Sequence, residues 1–350
     1  MGLPIWIFWN CMARRWARGL VLGSITMMRA RFAGVGGALP AQRISNEEVE
    51  SHLGLESGWI EGRTGVIERR RLAPSESLVD LAEQASRSAL SDAGLLPSDL
   101  DQIVVATTSG PYLFPSMGCL LHDRLGLAEQ PAFDVAAACA GFPYALATAD
   151  QAIRAGDHRT VLVVGADALS RLCDPDDRVT VPLFGDGAGA VVLQVTDLDR
   201  GILGTRLRAQ GSLSEILKAP PGERTAEALL EEGADPWMRM RGAEVFRAAV
   251  DHLVGLSREV LEAAGLSASD VHLLVPHQAN LRIIRMVLAQ LDLPMSRVAL
   301  NLQRCGNTSA ASIPLALSEA VAAGRLSEGD VLLLNAVGGG ITAGAVVARW

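Results

Sequence analysis

The chain repeats itself, and that repetition limits its possible folds more than any other feature. Ala93-Gly94-Leu95-Leu96-Pro97-Ser98-Asp99-Leu100 runs into the apolar segment Ile103 to Ala106. Ala264-Gly265-Leu266-Ser267-Ala268-Ser269-Asp270-Val271 runs into Leu273 to Val275 at nearly the same offset. A helical apolar pattern precedes each, Leu78 to Ala93 and Phe246 to Ala264. A helix over Cys139 to Ala155 stops at Gly156-Asp157 and leads to a strand, Val161 to Val164; a helix over Ser309 to Ala323 stops at Gly324 and leads to Val331 to Leu334. Gly189-Ala190-Val191-Val192 and Gly344-Ala345-Val346-Val347 then close the two series. Three matches in one order imply a duplicated α/β unit, with strands apolar enough to be buried on both faces. Two such halves, 28–200 and 201–350, should pack pseudo-symmetrically as sheets between helix layers. Ligand sites in such folds gather where strand ends and helix starts converge.

With 350 residues, 49% of them hydrophobic, the chain is long enough for both halves to bury a core. Its net charge of −8 argues against a nucleic-acid binder, so an acidic partner must meet a local basic patch. Cys11, Cys119, Cys139, Cys173 and Cys305 are odd in number and lack paired spacing. This reads as a reduced, cytoplasmic chain without a disulfide framework or zinc site. Residues 1–27 differ from the rest: apolar runs Leu3 to Trp9 and Leu20 to Met28 flank Arg14, Arg15 and Arg18. Neither run reaches the ~20 residues of a spanning helix, so no stable membrane insertion is expected. The segment reads as the product of an upstream start codon, a disordered extension or a Trp/Arg interfacial anchor.

Cys139 ends the strand-like stretch Ala132-Phe133-Asp134-Val135-Ala136-Ala137-Ala138 and opens the helix that follows. A thiol there lies near free backbone N–H groups and the positive end of the helix dipole. An ordinary thiol of pKa ~8.5 is only about 3% thiolate at pH 7, and this placement favours the nucleophilic form. The alternative is a small apolar core residue.

Three segments at equivalent strand and helix ends of the second half are its possible partners. Pro276-His277-Gln278-Ala279-Asn280-Leu281-Arg282 follows a strand, Arg304-Cys305-Gly306-Asn307-Thr308-Ser309 precedes a helix, and Val337-Gly338-Gly339-Gly340-Ile341 follows the last long strand but one. Taken singly, His277 reads as a hydrogen-bonded structural histidine, Asn307 as a helix N-cap and the glycines as backbone freedom. Their joint placement favours convergence on Cys139.

The chain resembles the β-ketoacyl-acyl carrier protein synthases III, initiating condensing enzymes of the thiolase-like superfamily. The resemblance runs from about Arg29 to Trp350 and includes Trp59 to Gly65, Phe114-Pro115-Ser116, Phe133 to Ala145, Cys173-Asp174-Pro175, Phe184 to Ala190, Pro276 to Ile284, Gly306 to Ser312 and Gly338 to Gly340. It implies an α/β thiolase-like fold, duplicated halves in an αβαβα layering, and a homodimer. It also implies the reaction: Cys139 takes an acyl group from acyl-CoA, and a malonyl group on acyl carrier protein then decarboxylates and attacks it. His277 and Asn307 would steady the enolate, and the backbone N–H groups of Cys139 and Gly339 would form the oxyanion hole. CoA and the acyl group would meet Trp59, Arg63, Arg178, Phe114, Leu169 and Asn280, with adenine between Trp59 and Arg178. Arg282, with Arg247 and Arg285, would dock the carrier. No cofactor is implied; the CoA thioester and malonyl carrier are substrates.

Some positions depart from the family pattern. Val337 and Ala343 stand where acetyl-selective members often carry Phe and Trp, Ala243 replaces a CoA-contacting Asn, and the Gln210 to Asp235 loop is longer and richer in Pro, Gly and Glu. Acetyl is the expected primer by resemblance, and these changes bear on it directly. Two further readings are a starter-unit synthase or acyltransferase of secondary metabolism, and a non-catalytic subunit of a synthase complex.

Overall fold

The computed structural model describes residues 28–219 and 235–350. The readings of residues 1–27 and of most of the Gln210 to Asp235 loop lie outside these. In chain order the strands are β1 (Arg29–Ala38), β2 (Gln42–Ser45), β3 (Glu68–Arg71), β4 (Gln102–Ala106), β5 (Ala132–Val135), β6 (Thr160–Ala168) and β7 (Asp186–Thr196). They continue as β8 (Gly201–Ala209), β9 (Leu217–Lys218), β10 (Arg239–Met240), β11 (Val271–Pro276), β12 (Val331–Gly338) and β13 (Thr342–Arg349).

One sheet has the order β1-β7-β6-β4-β5 and the other β11-β12-β13-β8. The two are the same pattern. β4 and β6 are parallel while β6, β7 and β1 alternate in direction; β11 and β12 are parallel while β12, β13 and β8 alternate. The fifth position, held by β5 in the first sheet, shrinks in the second to a single parallel bridge between Leu274 and Val298.

Both sheets are covered on both faces. Along β6, Val161 and Val163 join a central core while Leu162 and Val164 join an outer one; along β12, Leu332 and Leu334 face the centre and Val331 and Leu333 the outside. This period-2 split is why these strands are apolar at every position. The central layer consists of two helices, Gly141–Ala155 and Ser312–Ala322, which supply Phe142, Leu146, Ile153, Ile313 and Leu317 to the shared core. Each inner helix packs on the other half's sheet through proline against glycine. A Cβ on Gly189 would stand 2.8 Å from Cβ of Pro314, and one on Gly344 would stand 2.7 Å from Cβ of Pro143. The helix Leu78–Ala93 covers the outside of the first sheet; Gly242–Ala263 and Leu281–Leu291 cover the second. The result is the expected αβαβα layering. No helix among the described residues is long and apolar enough to cross a membrane.

Candidate active site

Each inner helix is entered through a single 3-10 turn, Ala138–Ala140 in the first half and Ser309–Ala311 in the second. The turns begin with a non-glycine residue in the left-handed region, Ala138 at φ 47° and Ser309 at φ 52°. Such a conformation costs about 1–2 kcal/mol for a residue with a Cβ. Cys139 is thus presented by a strained turn, with regular helix beginning only at Gly141 rather than at the cysteine. The sequence comparison set Cys139 against Ser309; the structure shifts that pairing by one, so that Ala138 corresponds to Ser309.

The strand end opposite closes on the cysteine. A Cβ on Gly338 would stand 2.6 Å from the backbone nitrogen of Cys139, so only glycine permits that approach. Gly340 has φ 71°, which turns the chain back into β13, and Gly339 lines a cavity with Cys139. The three glycines therefore differ in purpose: approach, lining and turn.

His277 follows β11 and is 3% exposed. Its backbone N–H donates to the carbonyl of Asn335 at 2.7 Å, and its Nδ1 meets Ser312 Oγ at 2.7 Å. The fully buried Gln278 holds this turn, its Nε2 donating to the carbonyls of Pro276 and Ala299. Asn307 bridges the halves: its N–H donates to Leu183 and its carbonyl accepts from Gly185 N–H. Its side-chain oxygen accepts from Ser309 N–H at 2.9 Å, which leaves the amide NH2 for the cavity that Asn307 lines. Ser309 Oγ in turn donates to Cys139 Sγ at 3.3 Å. Behind them, the fully buried Asp167 accepts from Thr108 N–H, Ser109 Oγ and Ala310 N–H, tying the end of β6 to the second turn.

Cys139, His277 and Asn307 line one cavity of about 920 Å3, together with Trp59, Arg63, Arg178, Asn280, Arg247, Arg282 and Arg285. A second cavity of about 480 Å3 also reaches Cys139 and is lined by Leu169, Leu172, Phe184, Met238, Ser309 and Gly339 among others. Cys139 therefore borders both an arginine-lined cavity and a second, smaller one with mostly apolar walls. Val337 lines the larger cavity, and Ala343 is fully buried in the core of the second half.

One detail differs from expectation. Burial pushes the Cys139 thiol up to about 12, outweighing the hydrogen bond from Ser309 and the backbone contribution. Desolvation of the buried thiol thus works against the placement at the helix start. Burial likewise pushes His277 down to about 3, so its imidazole is neutral. Arg63 stacks on Trp59, with Cζ 4.3 Å from the ring centroid, and Arg178 lines the same cavity. Glu50 fixes the Trp59–Thr64 helix by accepting from Gly58 and Ile60 N–H groups. Asn280 caps the Leu281–Leu291 helix through Arg282 N–H and donates to the Arg63 carbonyl at 3.3 Å, so it orders backbone at the cavity wall. Phe114 is 82% exposed, next to exposed Leu113 and Tyr112.

A cysteine heading one inner helix, served by a histidine and an asparagine from the duplicated half across a shared cavity, defines a thiolase-like condensing enzyme. Comparisons with known proteins narrow the class. Residues 133–211 match the family model for 3-oxoacyl-[acyl-carrier-protein] synthase III, and residues 261–350 match the model of its C-terminal part. The beta-ketoacyl-[acyl-carrier-protein] synthase III of Cereibacter sphaeroides is 47% identical over 328 residues, covering 92% of this chain and 99% of that protein. The crystal structure of the Aquifex aeolicus synthase III superposes with a TM-score of 0.86 at 42% identity, covering 92% of this chain and 100% of that one. The priming beta-ketosynthase of the R1128 polyketide pathway also superposes with a TM-score of 0.86, at 35% identity and covering 91% and 96% of the two chains. The chain belongs to the 3-oxoacyl-[acyl-carrier-protein] synthase III family.

Proposed function

We infer that this enzyme condenses a short acyl-CoA primer, acetyl-CoA by family resemblance, with malonyl-acyl carrier protein and so initiates fatty acid synthesis. The observation that carries this reading is the meeting of Cys139, His277 and Asn307 at one cavity. In the first step Cys139 sulfur attacks the thioester carbonyl, the C–S bond to CoA breaks, and the thiol proton leaves with the CoA sulfur. Backbone N–H groups of Cys139 and Gly339 hold the transient oxyanion.

In the second step the malonyl carboxylate leaves as CO2 and its bonding pair moves into an enolate. The neutral imidazole of His277 and the amide of Asn307 donate to the enolate oxygen, each worth roughly 3 kcal/mol. The enolate carbon then attacks the acyl carbonyl, and Cys139 leaves as a thiolate that takes up a proton. No cofactor enters.

Trp59, Arg63 and Arg178 are assigned to the CoA nucleotide, Arg282, Arg247 and Arg285 to the acidic carrier, and Leu169 to the acyl chamber. Phe114, in an exposed apolar loop, suits a dimer contact with a second copy of the chain, and the setting is the cytoplasm. Val337 and the second cavity favour a variant of this reading in which the primer is longer than acetyl, as a starter-unit synthase would use. A coupled assay tests both: purified enzyme, malonyl-acyl carrier protein and acetyl, butyryl or hexanoyl-CoA should yield 3-oxoacyl carrier and one CO2 per CoA released. No product from any ester overturns the reading.

A further inference from the structure

We propose that Ser312 is a positioning residue that holds His277 in the tautomer bearing its proton on Nε2, making the histidine a hydrogen-bond donor to the enolate and not a base toward Cys139. The proposal rests on the functional reading above and assigns a residue that it leaves unused.

Ser312 is fully buried as the first residue of its inner helix, so its hydroxyl proton needs an acceptor. A helical hydroxyl usually finds one four residues back: Ser86 donates to the Ala82 carbonyl at 2.6 Å and Thr64 to that of Ile60 at 2.7 Å. Ser312 makes no such bond among the described residues: the residue four back, Thr308, stands outside the helix, ahead of its 3-10 turn. The hydrogen-bond partner of Ser312 Oγ among the described residues is His277 Nδ1, at 2.7 Å. Were Nδ1 to carry the proton, Oγ would accept and its own proton would be stranded in the core, at a cost of about 1–3 kcal/mol. The satisfied arrangement has Ser312 donating to a bare Nδ1. The ring proton then sits on Nε2, the nitrogen left for the cavity that His277 lines.

The same short segment disposes Asn307 likewise, since Ser309 N–H holds its oxygen and leaves its NH2 free. Both groups thus present N–H to the same space. A ring with Nε2–H has no lone pair on that side to receive the thiol proton. Acyl transfer should therefore pass the proton from Cys139 sulfur to the departing CoA sulfur without histidine.

The test has two arms. In the intact enzyme labelled with 15N-histidine, long-range 1H–15N spectra, assigned against His277→Gln, should show a protonated Nε2 and an unprotonated Nδ1 for His277. The reverse pattern overturns the proposal, whether or not any Ser312 variant folds. In Ser312→Ala, decarboxylation of malonyl carrier should fall roughly tenfold more than acylation by acyl-CoA, with Ser312→Cys, a weaker donor, between the two. Equal losses in both steps, or none, contradict it. A parent enzyme that accepts no acyl group and decarboxylates nothing would sink the functional reading instead, and the spectrum would still decide the tautomer.

Discussion

The two turns that open the inner helices share a backbone and differ in chemistry. Ala138-Cys139-Ala140-Gly141 and Ser309-Ala310-Ala311-Ser312 occupy equivalent places, each strained at its first residue and each followed two residues on by a packing proline, Pro143 or Pro314. In the first the reactive atom is at the second position; in the second that position is alanine. The hydroxyls of the second turn flank it instead, reaching back to Cys139 and across to His277. The duplication thus supplied two copies of one scaffold, of which one carries Cys139 and the other carries hydroxyls that reach Cys139 and His277. A site built this way depends on the halves staying in register.

That dependence can be broken at the glycines where each half's central strand meets the other half's turn. A Cβ on Gly165 would lie 2.2 Å from the Ala310 carbonyl oxygen, and one on Gly338 would lie 2.6 Å from Cys139 nitrogen. Both neighbours are backbone, so neither can yield by a rotamer change. Gly165→Ala and Gly338→Ala should each lower stability by about 3 kcal/mol, measured by urea unfolding. Gly338→Ala should also remove nearly all acyl transfer by displacing Cys139. Unchanged unfolding midpoints would show that the approach is looser than the geometry requires.

A smaller effect separates two buried thiols. Burial holds both Cys139 and Cys305 up at about 12, well above an ordinary thiol. The thiolate is the reactive form, so alkylation of Cys139 by iodoacetamide should climb about tenfold per pH unit from pH 7 to 9 without a plateau. Cys305, with no exposed surface and no place on either cavity, should stay unmodified. A plateau for Cys139 below pH 8 would mean a resting thiolate, contrary to burial.

Much of this was legible in the sequence because the signals repeat. The Ala-Gly-Leu…Asp segments before β4 and β11 were found by comparison of one half with the other. Their structural reason is that Asp99 and Asp270 close matching turns, accepting from Leu96 and Ser267 N–H at 2.8 Å each. Strand lengths were less legible: β6 and β12 run on to Ala168 and Gly338, past the apolar stretches that mark them, because small residues continue the ladder under the inner turns. The convergence of Cys139, His277 and Asn307 followed from their equivalent strand and helix ends. The state of the thiol did not, since local sequence reveals the helix start but not the extent of burial around it. Nor did the stack of Arg63 on Trp59, a pairing of neighbours on one helical turn. Ser309 and Ser312 escaped notice because a serine near a helix start has an ordinary capping use, and only the fold shows what their hydroxyls face.

The central claim is that the first turn holds an acyl group while the second prepares its attacker. Intact-protein mass spectrometry after brief exposure to acyl-CoA, followed by peptide mapping, tests it most directly. The account predicts one added acyl mass, on the peptide containing Cys139, retained in His277→Ala and discharged by malonyl-acyl carrier protein only when His277 is present. An unmodified Cys139, or an acyl group carried on any other residue, would contradict it.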